Sequence, residues 1–148
     1  MPIMTSSALS LAGTDREVRD AALRYWCDFG WPVRTTHTDV LLSLQRDLLA
    51  VAMSATRGGP LLDRMDSAGV RGGVVGLRGG DGEQWWAFLI TPPERPVPRA
   101  AGVWLFNEGT DLPLPQGAAP ANGVRWIREP IPGGALFDGD LLFDATAG

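Results

Sequence analysis

Between Gly72 and Thr91 two apolar runs flank a glycine-rich break. Val74, Val75 and Leu77 form the first run, and Trp85 to Ile90 the second. Gly79-Gly80-Asp81-Gly82 lies between them, and those residue types accept turn geometry that others resist. The pattern predicts a β-hairpin. Its second strand has almost no polar break, so it is expected to be covered on both faces and central in its sheet. Upstream the apolar period changes to that of a helix. Val18, Ala21, Ala22, Tyr25, Trp26 and Phe29 fall on one stripe. Thr14-Asp15-Arg16-Glu17 reads as a capping box that opens this helix, and Gly30 and Pro32 close it. Residues 1–13 are weakly patterned and read as a flexible N-terminal segment.

Further elements follow in order. Pro32 to Thr36, Asp39 to Gln45 and Asp47 to Met53 read as strands, with Gln45-Arg46-Asp47 as a tight reversal. Leu41, Leu44, Leu48 and Val51 also have helical spacing, so a helix through this stretch is the competing reading. Arg57-Gly58-Gly59-Pro60 breaks the chain, and a short helix is predicted from Pro60, carrying Leu61, Leu62, Met65 and Ala68 to a stop at Gly69. The prolines from Pro92 to Pro98 require an extended loop. Gly102 to Phe106 and Val124 to Arg128 read as strands, the latter burying Val124, Trp126 and Ile127. Asp111 to Gly123 reads as loop, and Ala135 to Ala145 as a strand or a helical turn. Together these predict one α+β domain over 14–148. It has a mainly antiparallel sheet, one long N-terminal helix and one short central helix.

Composition narrows the function classes. The chain has 148 residues and a formal net charge of −4, with thirteen basic residues that are all arginine. Strong binders of duplex nucleic acid normally carry a basic excess, so none is expected here. No apolar run approaches the length of a membrane span, and the N-terminus lacks a signal-peptide pattern. A cytoplasmic protein without membrane association is the expectation. The lone Cys27 excludes an internal disulfide, and beside the apolar stripe it is expected to be buried and inert.

Candidate chemistry is sparse. His37 is the only histidine and sits in a polar stretch, Thr35-Thr36-His37-Thr38-Asp39, that reads better as a loop than as a site. Gly79 to Gly82 lacks the Lys and Ser/Thr of a phosphate-binding loop. Asp138 and Asp140 would share a face if their segment were extended, the geometry of a two-metal site, with Asp144 nearby. A terminal solvated turn is the simpler reading. Neither a metal nor a cofactor is expected, and no catalytic residue is assigned. Six tryptophans could line an apolar pocket among Trp85, Trp86, Trp104 and Trp126, although core packing accounts for each of them.

Three passages carry a resemblance. Ala21-Ala22-Leu23 through Gly30-Trp31-Pro32-Val33, Asp39 to Leu42 followed by Leu48 to Val51, and Gly109 to Pro115 followed by Gly123-Val124-Arg125-Trp126 stand in this order over residues 18–130. The arrangement resembles the primase–polymerase N-terminal domain of high-GC bacteria, a relative of archaeo-eukaryotic primases. The resemblance implies a central strand pair, with metal-binding carboxylates on the central strand and a histidine on the next hairpin. Here the matching stretches are Leu48 to Ala52 and Asp81 to Trp86, and Gln116 stands where the family has a serine. What the resemblance implies is therefore a degenerate member that keeps the fold without the polymerase site. The leading expectation is a non-catalytic accessory or regulatory domain that binds a protein partner or self-associates. The alternatives are a small-molecule binder or enzyme using the tryptophan pocket, and weak nucleotide or single-strand binding by aromatic stacking with Arg125 and Arg128.

Overall fold

The computed structural model describes residues 2–79, 81–116 and 123–147, with side chains from Arg16 to Thr146. Its class is α+β, with helices α1 (Pro2–Phe29), α2 (Ala55–Ser67) and α3 (Gly139–Ala147). The strands are β1 (Val33–Thr35), β2 (Val40–Ser43), β3 (Leu49–Ser54), β4 (Val74–Arg78), β5 (Gln84–Ile90), β6 (Trp104–Phe106), β7 (Asp111–Leu114) and β8 (Arg125–Arg128). They form two antiparallel sheets, a small one in the order β1-β2-β7 and a larger one in the order β6-β3-β5-β4-β8.

The predicted hairpin is β4–β5, and β5 is the middle strand of the larger sheet. Its alternation divides the core in two. Ala87 and Leu89 enter a cluster with Val18, Ala21, Tyr25 and Trp31, under α1 and the small sheet. Phe88 and Ile90 enter the opposite cluster with Leu61, Met65, Phe137 and Leu142, under α2 and α3. All four of these strand residues are fully buried, as a two-faced strand requires. In the turn, Gly79 N–H donates to Glu83 O at 2.7 Å, and Asp81 accepts from Glu83 N–H at 2.9 Å. Gly80 lies outside the described residues.

Several boundaries differ from expectation. Helix α1 starts at Pro2, so Thr14 is internal and the stretch read as a lead-in has a helical backbone. Proline suits a first helical turn, and Ala, Leu and Met favour continuation. Val18, Ala21 and Tyr25 are buried on it, but Trp26 is 60% exposed. One residue past Tyr25 is a 100° rotation, which carries Trp26 off the face that the narrow small sheet covers. Cys27, opposite Val18 on the helix, is exposed rather than buried.

The reversal at Arg46-Asp47 forms, closed by mutual backbone bonds of 3.1 Å between Gln45 and Leu48. Beyond it the strands part: β2 joins the small sheet and β3 the larger one. They are not the central pair that the resemblance implied. Helix α2 begins at Ala55, before the expected Pro60, because Ser54 caps it by accepting from Arg57 N–H. Gly58 makes this possible, since a Cβ there would stand 2.8 Å from the Trp86 ring. Strand β7 occupies part of the predicted loop, while residues 117–122 of that loop lie outside the described residues. Pro113 fits β7 because the strand is an edge, where a missing donor can face away from the ladder. The last segment resolves as helix α3, capped by Asp138, which accepts from Leu141 N–H at 3.0 Å.

Candidate functional site

Strand parity places the tryptophans. Trp85 and Trp86 are adjacent on β5 and so face opposite ways. Trp86 goes to the α2 side, over Gly58, with its indole N–H buried and unpaired among the described residues. Trp85 pairs with Ser54 on one side and Leu77 on the other. Trp104 on edge strand β6 stands opposite Ala52, which stands opposite Ala87 on β5. Trp85, Trp104, Leu77, Phe106 and Ala52 therefore share one face and line an open groove of about 340 Å³ at the end of the sheet. Ala52 leaves room at its floor. Gly79 admits the wall, since a Cβ there would meet the Trp85 indole nitrogen at 3.0 Å. Arg78 is the one charged residue in its lining, and Trp104 is 59% exposed.

Trp126 lies on the same face but on the opposite edge strand, β8, paired with Val75. Four strand spacings separate the strands of Trp104 and Trp126, roughly 19 Å. The predicted four-tryptophan pocket is thus divided: Trp85 and Trp104 line one groove, while Trp86 and Trp126 each lie elsewhere. Trp126 instead donates its indole N–H to the Tyr25 oxygen at 3.1 Å, and Tyr25 donates to Pro115 O at 2.5 Å. Burial above all pushes the Tyr25 hydroxyl up to about 12.

The two arginines are not beside the groove. Arg125 donates to Gln84 Oε1 at 2.8 Å. Arg128 grips Asp66 through two bonds of 2.7 and 2.6 Å, and these hold the Asp66 carboxyl below its ordinary range. The terminal carboxylates are also engaged. Asp138 caps α3, Asp140 accepts from the backbone N–H groups of Glu94 and Arg95, both at 3.1 Å, and Asp144 accepts from the Arg95 guanidinium at 2.8 Å. Helical geometry separates the Asp138 and Asp140 side chains that an extended segment would have aligned. Among the described residues, no three His, Cys, Asp or Glu side chains gather as metal ligands. His37 is exposed in the β1–β2 turn.

Sequence reasoning missed Ala52, Leu77 and Phe106 as groove residues and Tyr25 as the partner of Trp126. Leu77 shares a face with Val75, but only the strand register brings it opposite Trp85. Comparison with protein-family models, curated proteins and solved structures found no match. Among the described residues, no helix is long and apolar enough to cross a membrane.

Proposed function

We propose that this domain is a non-catalytic binding module that takes apolar side chains of a protein partner into the groove between Trp85 and Trp104. The observation that carries the reading is Trp104, 59% exposed on an edge strand beside Trp85, Leu77 and Phe106. A large indole left in water beside other apolar walls marks an interaction surface more readily than a core. With one charged residue in the lining, recognition there is by apolar contact and shape. The relationship to primase–polymerases belongs to the same proposal. Within it, β3 accounts for the missing polymerase site, because its residues Leu49 to Met53 are all apolar and buried where the family places metal-binding carboxylates. A fold kept without that site is accounted for by a binding role.

The groove volume supports a second reading, an apolar small molecule, because small-ligand sites span about 300–1,000 Å³. Nucleic-acid stacking has less support, since Arg125 and Arg128 lie on the far edge strand and Arg128 is held by Asp66.

The test immobilises wild type, Trp104→Ala and Trp26→Ala and compares what each retains from a lysate of its source. Both tryptophans are exposed, so neither change should unfold the domain. The proposal expects a partner held by wild type and Trp26→Ala and lost from Trp104→Ala. Equal retention by all three refutes it. A co-purifying small molecule that disappears with Trp104→Ala, found by mass spectrometry, would select the second reading.

A further inference from the structure

A second cavity, of about 420 Å³, lies at the other edge of the same sheet face and is independent of the groove. Helix α1 supplies two pairs at i, i+4 spacing, charged Arg24 and Asp28 and aromatic Tyr25 and Phe29. Strand β8 supplies Trp126, and Glu129 follows its last residue. The Tyr25 and Trp126 rings meet at 67° with centroids 6.1 Å apart, forming a corner. The corner is fixed: Trp126 donates to Tyr25, and Tyr25 donates to the buried Pro115 carbonyl. Phe29 is held in turn by stacking on buried Trp31, at 4.5 Å and 20°.

Electrostatics then select the ligand. The faces of aromatic rings attract cations. Asp28 and Glu129 add two negative charges against the single positive charge of Arg24. The Tyr25 hydroxyl, raised by burial, stays neutral at physiological pH, and its bonds to Pro115 and Trp126 fix the corner.

The geometry points to a site for an organic cation, a guanidinium or ammonium group on an aliphatic stem, seated against the half-buried Trp126 ring that Tyr25 holds in place, with Asp28 and Glu129 as counter-charges. Such a group comes either from a free amine or from an arginine or lysine side chain in a peptide. Arg24 limits affinity by repulsion, so its removal should strengthen binding.

The experiment titrates isotope-labelled protein and follows the Trp126 indole N–H resonance, assigned with Trp126→Phe. The probes are the acetyl-arginine methylamide, its uncharged citrulline counterpart, free arginine and a capped Ala-Arg-Ala peptide. The arginine methylamide should shift the resonance in a saturable way, and the citrulline analogue should not. Asp28→Asn and Glu129→Gln should each weaken binding about 2- to 5-fold, and Arg24→Gln should strengthen it by a similar factor, as exposed ion pairs do. These three residues are exposed, so the variants should fold, which circular dichroism checks. Tighter binding of the peptide than of free arginine assigns the source to a protein chain, and the reverse order assigns it to a free amine. Either order supports the site. No saturable shift, an equal response to citrulline, or weaker binding by Arg24→Gln would overturn it. Trp104→Ala should leave this titration unchanged.

Discussion

Tyr25→Phe isolates one atom that ties three elements together. The lost oxygen accepts from Trp126 at 3.1 Å and donates to Pro115 O at 2.5 Å, and Tyr25 is only 9% exposed. The Trp126 ring is half-buried and lines a cavity, where water can replace the lost acceptor. The Pro115 carbonyl is buried and is left without its donor, which costs about 1–3 kcal/mol. Chemical denaturation should therefore find the variant less stable by that amount at neutral pH. A second arm uses pH. Burial is the main cause that raises the folded hydroxyl to about 12, the Trp126 bond and Arg24 oppose the rise, and Glu129 adds to it. The unfolded chain releases this proton near pH 10. Below pH 10 both states hold the proton and the contribution to stability is intact. Between pH 10 and 12 the unfolded state binds fewer protons, so stability falls as pH rises, by about 2–3 kcal/mol over the interval. The Phe variant should lack that slope. Tyr25 is the only tyrosine in the chain, so ultraviolet absorbance of tyrosinate reports it alone. Tyrosinate appearing near pH 10 in the folded protein, or a variant as stable as wild type, would refute the buried hydrogen-bonded assignment.

Phe137, fully buried and 5.5 Å from Phe88, should cost about 3–5 kcal/mol when changed to Ala, whereas Trp26→Ala should cost under about 1 kcal/mol; urea unfolding compares them. Asp140 is held below its ordinary range, first by the Arg95 and Glu94 backbone donors. Its contribution is present above the unfolded aspartate range and is lost as pH falls through the lowered value, so Asp140→Asn should flatten the acid limb of the stability profile measured by thermal unfolding. An extension assay with template, nucleotides and Mg²⁺ or Mn²⁺ should give no product, because β3 offers no carboxylate to hold the metals. Product from the wild type would overturn the non-catalytic proposal.

What was legible in the sequence was whatever local chemistry decides. The β4–β5 hairpin follows from its turn residues and apolar runs, and the continuous apolarity of β5 foretold its central place. That Trp85 and Trp86 face opposite ways was also readable, since neighbours on a strand always do. The parting of β2 and β3 was not. A two-residue turn at Arg46-Asp47 specifies a reversal but not which sheet each strand then joins, and that choice depends on partners distant in the chain, β7 for one and β5 and β6 for the other. Trp26 misled for a related reason. Helical spacing defines a stripe, but the width of the covering surface decides how much of the stripe is buried; among the described residues Val18, Ala21 and Tyr25 are buried, Ala22 and Phe29 are partly covered, and Trp26 is left outside.

The candidate sites depend on a pattern visible only across strands. One row of the larger sheet reads Trp104, Ala52, Ala87, Val75, Trp126 from edge to edge. Its three inner residues are buried and of modest size, so the small sheet and α1 can lie close over the middle. Its two outer residues are indoles too large and too peripheral for that cover, and each becomes a wall of a separate cavity. The rows beside it determine how those cavities differ. Trp85, Leu77 and Phe106 make the β6 end apolar, while Arg24, Asp28 and Glu129 give the β8 end its charge. Pairing register, which no single stretch of sequence encodes, thus places two tryptophans of similar composition and pattern into chemically different surroundings. The same fold can on that basis present an apolar contact at one edge and a cation-selective one at the other.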